Sequence, residues 1–322
     1  MSKRKKIIIA LIAAVLLLGI GVATFFVIKH FQKQAQIEKI DIVDTLPDGH
    51  GKKATVILLA GQSNASGCSR DEYLQKNVSA EQYEEYVGGY DNVYINYFVS
   101  DTNKSEGFVT CAAHQGEARA HGGRYFGPEL GLAEKLNEQY PDQTFFIIKY
   151  AWAGTNLYEQ WLSPSSRGSV GSLYQSFVQY VQSSLEYLEA KNYDVSIESM
   201  CWMQGESDAL DEGTALDYEE HLSNLIKDVR AEFADYASQD GIGFVDAYIS
   251  DSIFWVYYAE INQAKQAVAD ASPMNVVIDT IAHGLSVSAE PEGEPDIAHY
   301  DSLSELRLGH LFAEESAKFF DR

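Results

Sequence analysis

Serine, histidine and aspartate occur in this chain in a setting that suits nucleophilic catalysis. Residues 56–64 read Val-Ile-Leu-Leu-Ala-Gly-Gln-Ser-Asn, an apolar strand pattern that leads directly into a polar turn containing Ser63. Far downstream, Asp296 and His299 stand three residues apart, ahead of a helix-like stretch. A serine hydroxyl becomes a strong nucleophile when a histidine accepts its proton and a carboxylate orients that histidine. These residues therefore predict a serine esterase whose triad is assembled by folding.

Two further apolar runs also end in polar groups. Residues 144–150 are followed by a block that contains Gly154, and residues 195–203 by Gln204-Gly-Glu-Ser-Asp208. In open parallel α/β sheets, ligands bind beyond the carboxyl ends of the strands. We therefore expect these groups to converge with Ser63 at one edge of a sheet.

The elements that must position these groups alternate between strands and helices. Buried strands are predicted at five short apolar runs, namely Thr55–Ala60, Thr144–Tyr150, Val195–Met203, Gly243–Ala247 and Asn275–Asp279. Helical patterns begin at Gly127-Pro128 and cover about 171–191, 218–236, 255–272 and 303–320. For the last helix, Ser302 and Glu305 form a predicted capping box. The pattern predicts a three-layer α/β/α sandwich with a mostly parallel sheet of about five strands. The irregular segment 61–126 is expected to form loops or insertions around the site.

The N-terminus predicts a membrane anchor. Residues 7–28 contain no charged residue, and Lys3, Arg4, Lys5 and Lys6 precede them. A run of about 20 apolar residues is long enough to span a bilayer, and flanking cations favour the cytoplasmic side. We therefore expect a cytoplasmic tail (1–6), a transmembrane signal anchor (7–28), a stalk (29–52) and an extracellular domain (53–322). The alternative is a cleaved signal peptide and a secreted protein.

Composition excludes several partners and cofactors. The net charge of −23 would repel nucleic acid and anionic lipid headgroups. The three cysteines form no disulfide framework, and whether Cys68 and Cys111 pair is left open. No Cys or His pair has the spacing of metal ligands, so we expect neither a metal nor a cofactor.

Four motifs together carry a family resemblance. In chain order they are Gly-Gln-Ser-Asn (61–64), Gly-Pro-Glu-Leu (127–130), Trp-Met-Gln-Gly-Glu-Ser-Asp (202–208) and Asp-Ile-Ala-His (296–299). The chain resembles the sialate O-acetylesterase/acetylxylan esterase group of SGNH hydrolases over about residues 54–320. The resemblance implies the flavodoxin-like SGNH fold and removal of O-acetyl groups from a glycan.

The resemblance also assigns roles to individual residues. It implies that Ser63 is the nucleophile, His299 the base and Asp296 the acid. The implied oxyanion donors are the backbone amides of Ser63 and Gly154 and the side-chain amide of Gln204. Residues expected to orient site groups or contact substrate are Gln62, Asn64, Asn156, Glu206, Trp152 and Trp161. Tryptophans such as Trp152 and Trp161 are more often core residues than sugar platforms, although these two flank the predicted site.

Three departures from the family pattern leave the substrate open. Ala65 replaces the usual Met, Ala153 replaces the first Gly of Gly-Gly-Thr, and Tyr300 replaces Pro after the histidine. Sialic acid, xylan and other acetylated glycans all remain candidates, and the oligomeric state is open. Two alternative functions are a non-catalytic glycan-binding protein of the same fold and another serine hydrolase, such as a lipase or thioesterase. Residues 61–65 do not fit the Gly-x-Ser-x-Gly pattern of lipases.

Overall fold

The computed structural model describes residues 40–117 and 123–320. Its strands are β1 (Lys53–Gly61), β2 (Ser69–Arg70), β3 (Tyr90–Ser100), β4 (Asn103–Lys104), β5 (Val109–Cys111), β6 (Tyr125–Phe126), β7 (Phe145–Ala151), β8 (Asp194–Met203), β9 (Gly243–Ala247) and β10 (Asn275–Ile278). The central sheet has the order β10-β9-β8-β1-β7-β3-β4, and β5 pairs with β3 off this path. All pairings are parallel except those of β4 and β5 with β3. A separate ribbon joins β2 and β6.

Helices connect these strands. Within the described residues they are α1 (Ser63–Ser66), α2 (Asp71–Asn77), α3 (Ala80–Gly88), α4 (Pro128–Gln139), α5 (Ser172–Ala190), α6 (Glu212–Leu216), α7 (Tyr218–Glu232), α8 (Tyr258–Asp270) and α9 (Ser302–Ser316). Short 3₁₀ turns occupy Asp208–Leu210, Ala234–Tyr236 and Ala317–Phe319. Helix α9 packs closely on α4, and α7 packs on α8.

Both faces of the sheet are covered. In β1 every residue from Ala54 to Gly61 is buried, and so is every residue of β7. Because successive side chains of a strand point to opposite faces, burial of all of them requires a layer on each side. The predicted α/β sandwich with a mostly parallel sheet is confirmed.

The strand count was predicted too low. All five predicted strands are present, but among the described residues the sheet has eight strands rather than about five. The segment expected to be loops holds β3, which pairs in parallel with β7. In the sequence, the polar Asn96 interrupts the apolar pattern from which this strand would be predicted. In the fold Asn96 is completely buried and its side chain is satisfied by Ser184, Tyr180 and Ser105.

The start of the last helix differs from the predicted capping box. Asp301 is the N-cap residue, and its side chain accepts no capping hydrogen bond from this helix. Ser302 is instead the first helical residue, and its backbone N–H donates to Glu290 Oε2 at 2.7 Å. Its hydroxyl donates to the other oxygen of the same carboxylate at 2.8 Å. A glutamate from the preceding loop therefore satisfies the helix start, a contact that local sequence does not reveal.

The N-terminal predictions fall largely outside the described residues. The predicted tail and anchor, residues 1–28, lie there, and so does most of the predicted stalk. In the described part of the chain, no helix is long and apolar enough to cross a membrane. The last part of the predicted stalk packs on the domain. Val43 N donates to Glu106 O at 2.7 Å, Thr45 Oγ1 donates to Phe108 O at 2.6 Å, and Leu46 is buried.

The cysteines are free thiols. Cys68, Cys111 and Cys201 are all buried and unbridged. The Cys111 thiol donates to the backbone oxygen of Glu129 rather than pairing with Cys68. Burial raises the pKa of the Cys201 thiol to about 12. Cys201 thus behaves as the small buried residue that its apolar surroundings predict.

Candidate active site

The polar groups predicted to converge do so at the centre of the sheet. Strand β1 lies between β7 and β8, and Gly61 is in register with Ala151 on one side and Met203 on the other. The three loops that follow these residues therefore start side by side. At Gly61 the backbone has φ +142°, and a Cβ there would lie 1.9 Å from the Met203 carbonyl oxygen. Only glycine allows β1 and β8 to approach this closely beneath the site.

Ser63 is the first residue of the single-turn helix α1. Its side chain lies just below the surface, with the residue 5% exposed. The turn is fixed at its start, where Gln62 N donates to Met203 O at 2.9 Å, and it closes where Gly67 N donates to Ser63 O at 2.9 Å. Backbone amides in the first turn of a helix have no acceptor within the helix. The Ser63 N–H is therefore suited to bind an anionic oxygen.

Asp296 and His299 form a pair within one turn of chain. His299 Nδ1 lies 2.8 Å from Asp296 Oδ2, while Ala298 N donates to Asp296 Oδ1 at 3.2 Å. The His299 side chain is 13% exposed and that of Asp296 35%. With the Nδ1 proton donated to the carboxylate, a neutral His299 ring presents an unprotonated Nε2 as acceptor. The local geometry is that of an oriented general base.

Asn64 joins this pair to residues 62–67, the turn that carries the predicted nucleophile Ser63 (the nucleophile turn). Its Oδ1 accepts from Tyr300 N at 3.2 Å, and its Nδ2 lies 3.4 Å from Ala298 O. These two contacts flank His299 in the chain, and Asn64 directly follows Ser63. Asn64 and Tyr300, which are 236 positions apart in the chain, are thereby brought into one site. The structure brings the three predicted triad residues to the same edge of the sheet.

Glu206 orients Asn64 from below. It is completely buried, and its Oε1 accepts from Asn64 Nδ2 at 2.7 Å. Its Oε2 has no hydrogen-bond partner among the described residues. Burial raises the pKa of this carboxyl group above its ordinary value, against the opposing effect of the Asn64 hydrogen bond. This placement agrees with the expectation that Glu206 orients site groups.

Gln204 is engaged inside the protein. It is completely buried, and its Nε2 donates to Asp208 Oδ2 at 2.6 Å and to Thr155 O at 3.1 Å. Its Oε1 accepts from the Tyr218 hydroxyl at 3.0 Å. Both amide hydrogens thus have acceptors, whereas the oxyanion role implied by the resemblance needs one directed at the substrate. In this structure Gln204 supports the loops instead.

Asp208 is a site residue that the sequence reasoning did not assign a role. Besides Gln204, it accepts from Leu157 N at 2.9 Å and Tyr158 N at 3.1 Å, so it ties the loop after β7 to the loop after β8. Burial raises its pKa to about 6, although these hydrogen bonds favour the charged form. In the sequence, the position of Asp208 in the Gln-Gly-Glu-Ser-Asp block indicated that it lies near the site.

Gln62 holds a side-chain donor beside the nucleophile. Its Oε1 accepts from Ser207 N at 3.2 Å and lies 3.3 Å from Gln204 Nε2. A backbone N–H can only donate, so Oε1 is the atom facing β8. The NH₂ group of Gln62 has no acceptor among the described residues. This NH₂ group is therefore available to donate to an oxyanion.

The loop after β7 holds four of the residues expected at the site, and the structure places them differently. Gly154 is exposed with φ +70°, and open space surrounds its Cα. Trp161 is completely buried against Trp202, with ring centroids 5.1 Å apart, so its expected role as a sugar platform is wrong. Asn156 holds its own turn, because its Oδ1 accepts from Glu159 N at 2.8 Å. Trp152 is half-buried and stacks on Phe98 at 5.8 Å, which leaves part of the ring accessible.

Two arginines beside the site were missed. Asp296 and His299 line a small cavity that Arg70 also lines. Arg70 lines a second cavity as well, together with Arg124. The β2–β6 ribbon brings them together, since Arg70 is in register with Tyr125. Arg70 Nη1 lies 3.5 Å from Glu72, an exposed carboxylate. Neither arginine belongs to a motif, and only the pairing of two two-residue strands reveals them.

Comparisons with solved structures agree with this fold. A protein from Arabidopsis thaliana aligns with TM-score 0.59 at 17% identity, covering 83% of this chain and 99% of the other. NanS aligns with TM-score 0.59 at 16% identity, covering 86% and 99% respectively. A novel carbohydrate acetylesterase from Xanthomonas citri aligns with TM-score 0.53 at 18% identity, covering 82% of this chain and 56% of that protein. At these identities the likeness establishes the fold alone.

The family follows from the sequence match. The model of the family described as carbohydrate esterase, sialic acid-specific acetylesterase, matches residues 53–318, and the chain belongs to this family. A search of curated proteins gave no match.

Proposed function

We propose that this protein hydrolyses O-acetyl esters of a carbohydrate with Ser63 as nucleophile, His299 as base and Asp296 as the orienting acid. The observation that carries the proposal is the Asn64 bridge, which holds the chain on both sides of His299 against the residue next to Ser63. Family membership supports the acetylesterase class.

The proposed chemistry is acyl transfer in two half-reactions. His299 Nε2 accepts the Ser63 proton while Oγ attacks the acetyl carbonyl, and Asp296 holds the imidazolium that forms. As the tetrahedral intermediate collapses, the sugar hydroxyl leaves with that proton and acetyl-Ser63 remains. Water, deprotonated by the same histidine, then releases acetate. Each half-reaction uses one base and one oxyanion site.

The oxyanion is stabilised by three donors in this proposal. The backbone N–H groups of Ser63 and Gly154 come from adjacent loops, as the family pattern implies. The third donor is the NH₂ group of Gln62 rather than that of Gln204. Gln204 acts through Gln62, whose Oε1 it contacts at 3.3 Å. Uncharged donors of this kind work at any physiological pH.

The substrate is an acetylated sugar that carries a carboxylate, such as a sialic acid, rather than neutral xylan. The protein as a whole is acidic, with net charge −23, so an anionic substrate needs a local exception. Arg70 lines the cavity next to His299 and Arg124 lines the adjoining one, where they offer two cations among the carboxylates of Glu290, Asp71 and Glu72. Arginine presents a planar fork of donors that matches a carboxylate.

Acetate release by the purified full-length protein tests the activity. We expect hydrolysis of p-nitrophenyl acetate and of O-acetylated sialic acid, both abolished in Ser63→Ala. Arg70→Ala should raise KM for the acidic sugar about tenfold, the value of one charged hydrogen bond. It should leave p-nitrophenyl acetate turnover unchanged, since that ester has no carboxylate. Equal KM values for acetylated sialic acid and acetylated xylan would contradict the substrate assignment.

The protein acts outside the cell from a membrane anchor at residues 7–28. The support is the uncharged run and the four basic residues before it. N-terminal sequencing of the protein from membrane fractions tests this: an intact N-terminus is expected, while a start near residue 30 means a cleaved signal.

A further inference from the structure

We propose that Lys149 and Glu129 are positioning residues for the reaction, a buried ion pair that fixes the turn carrying Ser63. The inference rests on the proposed esterase function. It concerns two side chains that never meet the substrate, because both are completely buried.

Lys149 holds three separate parts of the chain. It lies on β7, and its Nζ donates to Glu129 Oε2 at 2.6 Å, to Ser66 O at 3.1 Å and to Gln115 O at 3.2 Å. An ammonium group has three hydrogens, and here each has one acceptor. The three acceptors belong to α4, to the nucleophile turn and to the loop after β5.

Glu129 secures the other side of this arrangement. Its Oε1 accepts from Gly127 N at 2.9 Å. The segment at Gly127 lies directly against the nucleophile turn, since a Cβ on Gly67 would lie 2.5 Å from Gly127 N. No side chain separates the two backbones. A shift of Glu129 would therefore be transmitted to the end of α1.

The path from Lys149 to Ser63 is two hydrogen bonds long. Ser66, whose carbonyl Lys149 binds, donates its hydroxyl to Ser63 O at 3.1 Å. The Ser66 hydroxyl also lies 3.2 Å from Glu117 Oε2, and Glu117 N donates to Gly67 O at 2.8 Å. The ammonium group thus lies at the centre of the contacts that set the position of α1.

Stability alone does not account for this pair. Replacing a buried ion pair by uncharged groups of similar shape is often neutral or stabilising. The position of a nucleophile is far more demanding, because a displacement of about 1 Å can cost about 100-fold in rate. The pair lies where such a displacement would arise.

The decisive variant is the double substitution Lys149→Met with Glu129→Gln in the full-length protein. It removes both charges and keeps the volumes similar, so no single charge is left buried. The matched control is Arg230→Met. Arg230 also binds three acceptors, Ile242 O, Met274 O and Asn275 Oδ1, but at the opposite, amino edge of the sheet.

Two rates and one stability measurement are compared. They are kcat/KM for p-nitrophenyl acetate, the rate of Ser63 labelling by a fluorophosphonate, and thermal unfolding followed by circular dichroism. We expect the double variant to lose about 100-fold in both rates while it remains folded. Arg230→Met should lower the unfolding temperature and leave both rates within twofold of the unsubstituted protein.

The possible outcomes separate cleanly. Rates in the double variant within threefold of the unsubstituted protein overturn the proposal. If the double variant does not fold, Glu129→Gln alone decides, with about tenfold slower labelling expected and an unchanged rate overturning the proposal. An unsubstituted protein that neither hydrolyses the ester nor reacts with the fluorophosphonate contradicts the proposed function instead.

Discussion

The two halves of the candidate site are built in different ways. Asp296 and His299 form a pair inside one turn of chain, are partly exposed, and bind each other within that turn. The other half, around Gln62 and Ser63, is buried and held by residues from distant parts of the chain, among them Gln204 and Glu206. In the proposed mechanism the local half carries the proton, and the distributed half fixes the position of the nucleophile and the oxyanion donors. Function and stability should therefore separate in the first half and be coupled in the second.

The largest expected effect tests the local half. His299→Ala should reduce kcat for p-nitrophenyl acetate by about 10⁴-fold or more, as for triad members that act as a unit. The free energy of unfolding should change by less than about 1 kcal/mol, because the ring is near the surface. Steady-state kinetics and urea denaturation measure the two quantities. A variant that keeps a tenth of the activity would remove His299 from the mechanism.

The next effect compares two glutamines of the distributed half. Gln62→Ala should lower kcat about 10²-fold, the usual loss for one oxyanion donor, with little change in KM. Gln204→Ala removes one hydrogen-bond partner from Asp208 and one from the Tyr218 hydroxyl, so it should also cost about 1–3 kcal/mol of stability. Both are measured on the same enzyme preparations. A smaller rate loss in Gln62→Ala than in Gln204→Ala would return the donor role to Gln204.

The smallest effect concerns pH. The pKa of Asp208 is raised from 3.8 to about 6 in the folded protein, so between these values the folded state binds more protons than the unfolded state. This group's contribution to stability is therefore present in full below about pH 4 and falls as pH rises through about 6. Asp208→Asn should flatten that part of the profile in urea titrations at pH 4 to 7. Asp246, with a pKa also raised to about 6, keeps its own share of the slope. An unchanged slope would show that Asp208 is not protonated in the folded state.

The sequence predicted the parts of the molecule that rest on local pattern. The five apolar strands and the order of the polar blocks followed from periodicity and from motifs, and the register of Gly61 with Ala151 and Met203 confirms their convergence. It missed β3, because the buried Asn96 obtains its partners only in the fold. It also misjudged Trp161, since an indole that follows a strand gives no sign of whether it faces sugar or core. The two arginines come together through the pairing of β2 with β6, and strands of two residues leave no recognisable pattern in the sequence.

The packing of residues 41–52 has a practical consequence for any shortened form of this protein. A chain that starts at Lys53 would lack the buried Leu46. It would also lack the backbone N–H groups of Thr45 and Leu46, each of which donates to the Tyr187 hydroxyl at 3.0 Å. It would also lack the Thr45 hydroxyl, which donates to the Phe108 backbone oxygen at 2.6 Å. The apolar surface that Leu46 covers would become exposed, and exposed apolar surface favours self-association. A fragment that starts at or before Asp41 is therefore the better choice for expression and crystallisation.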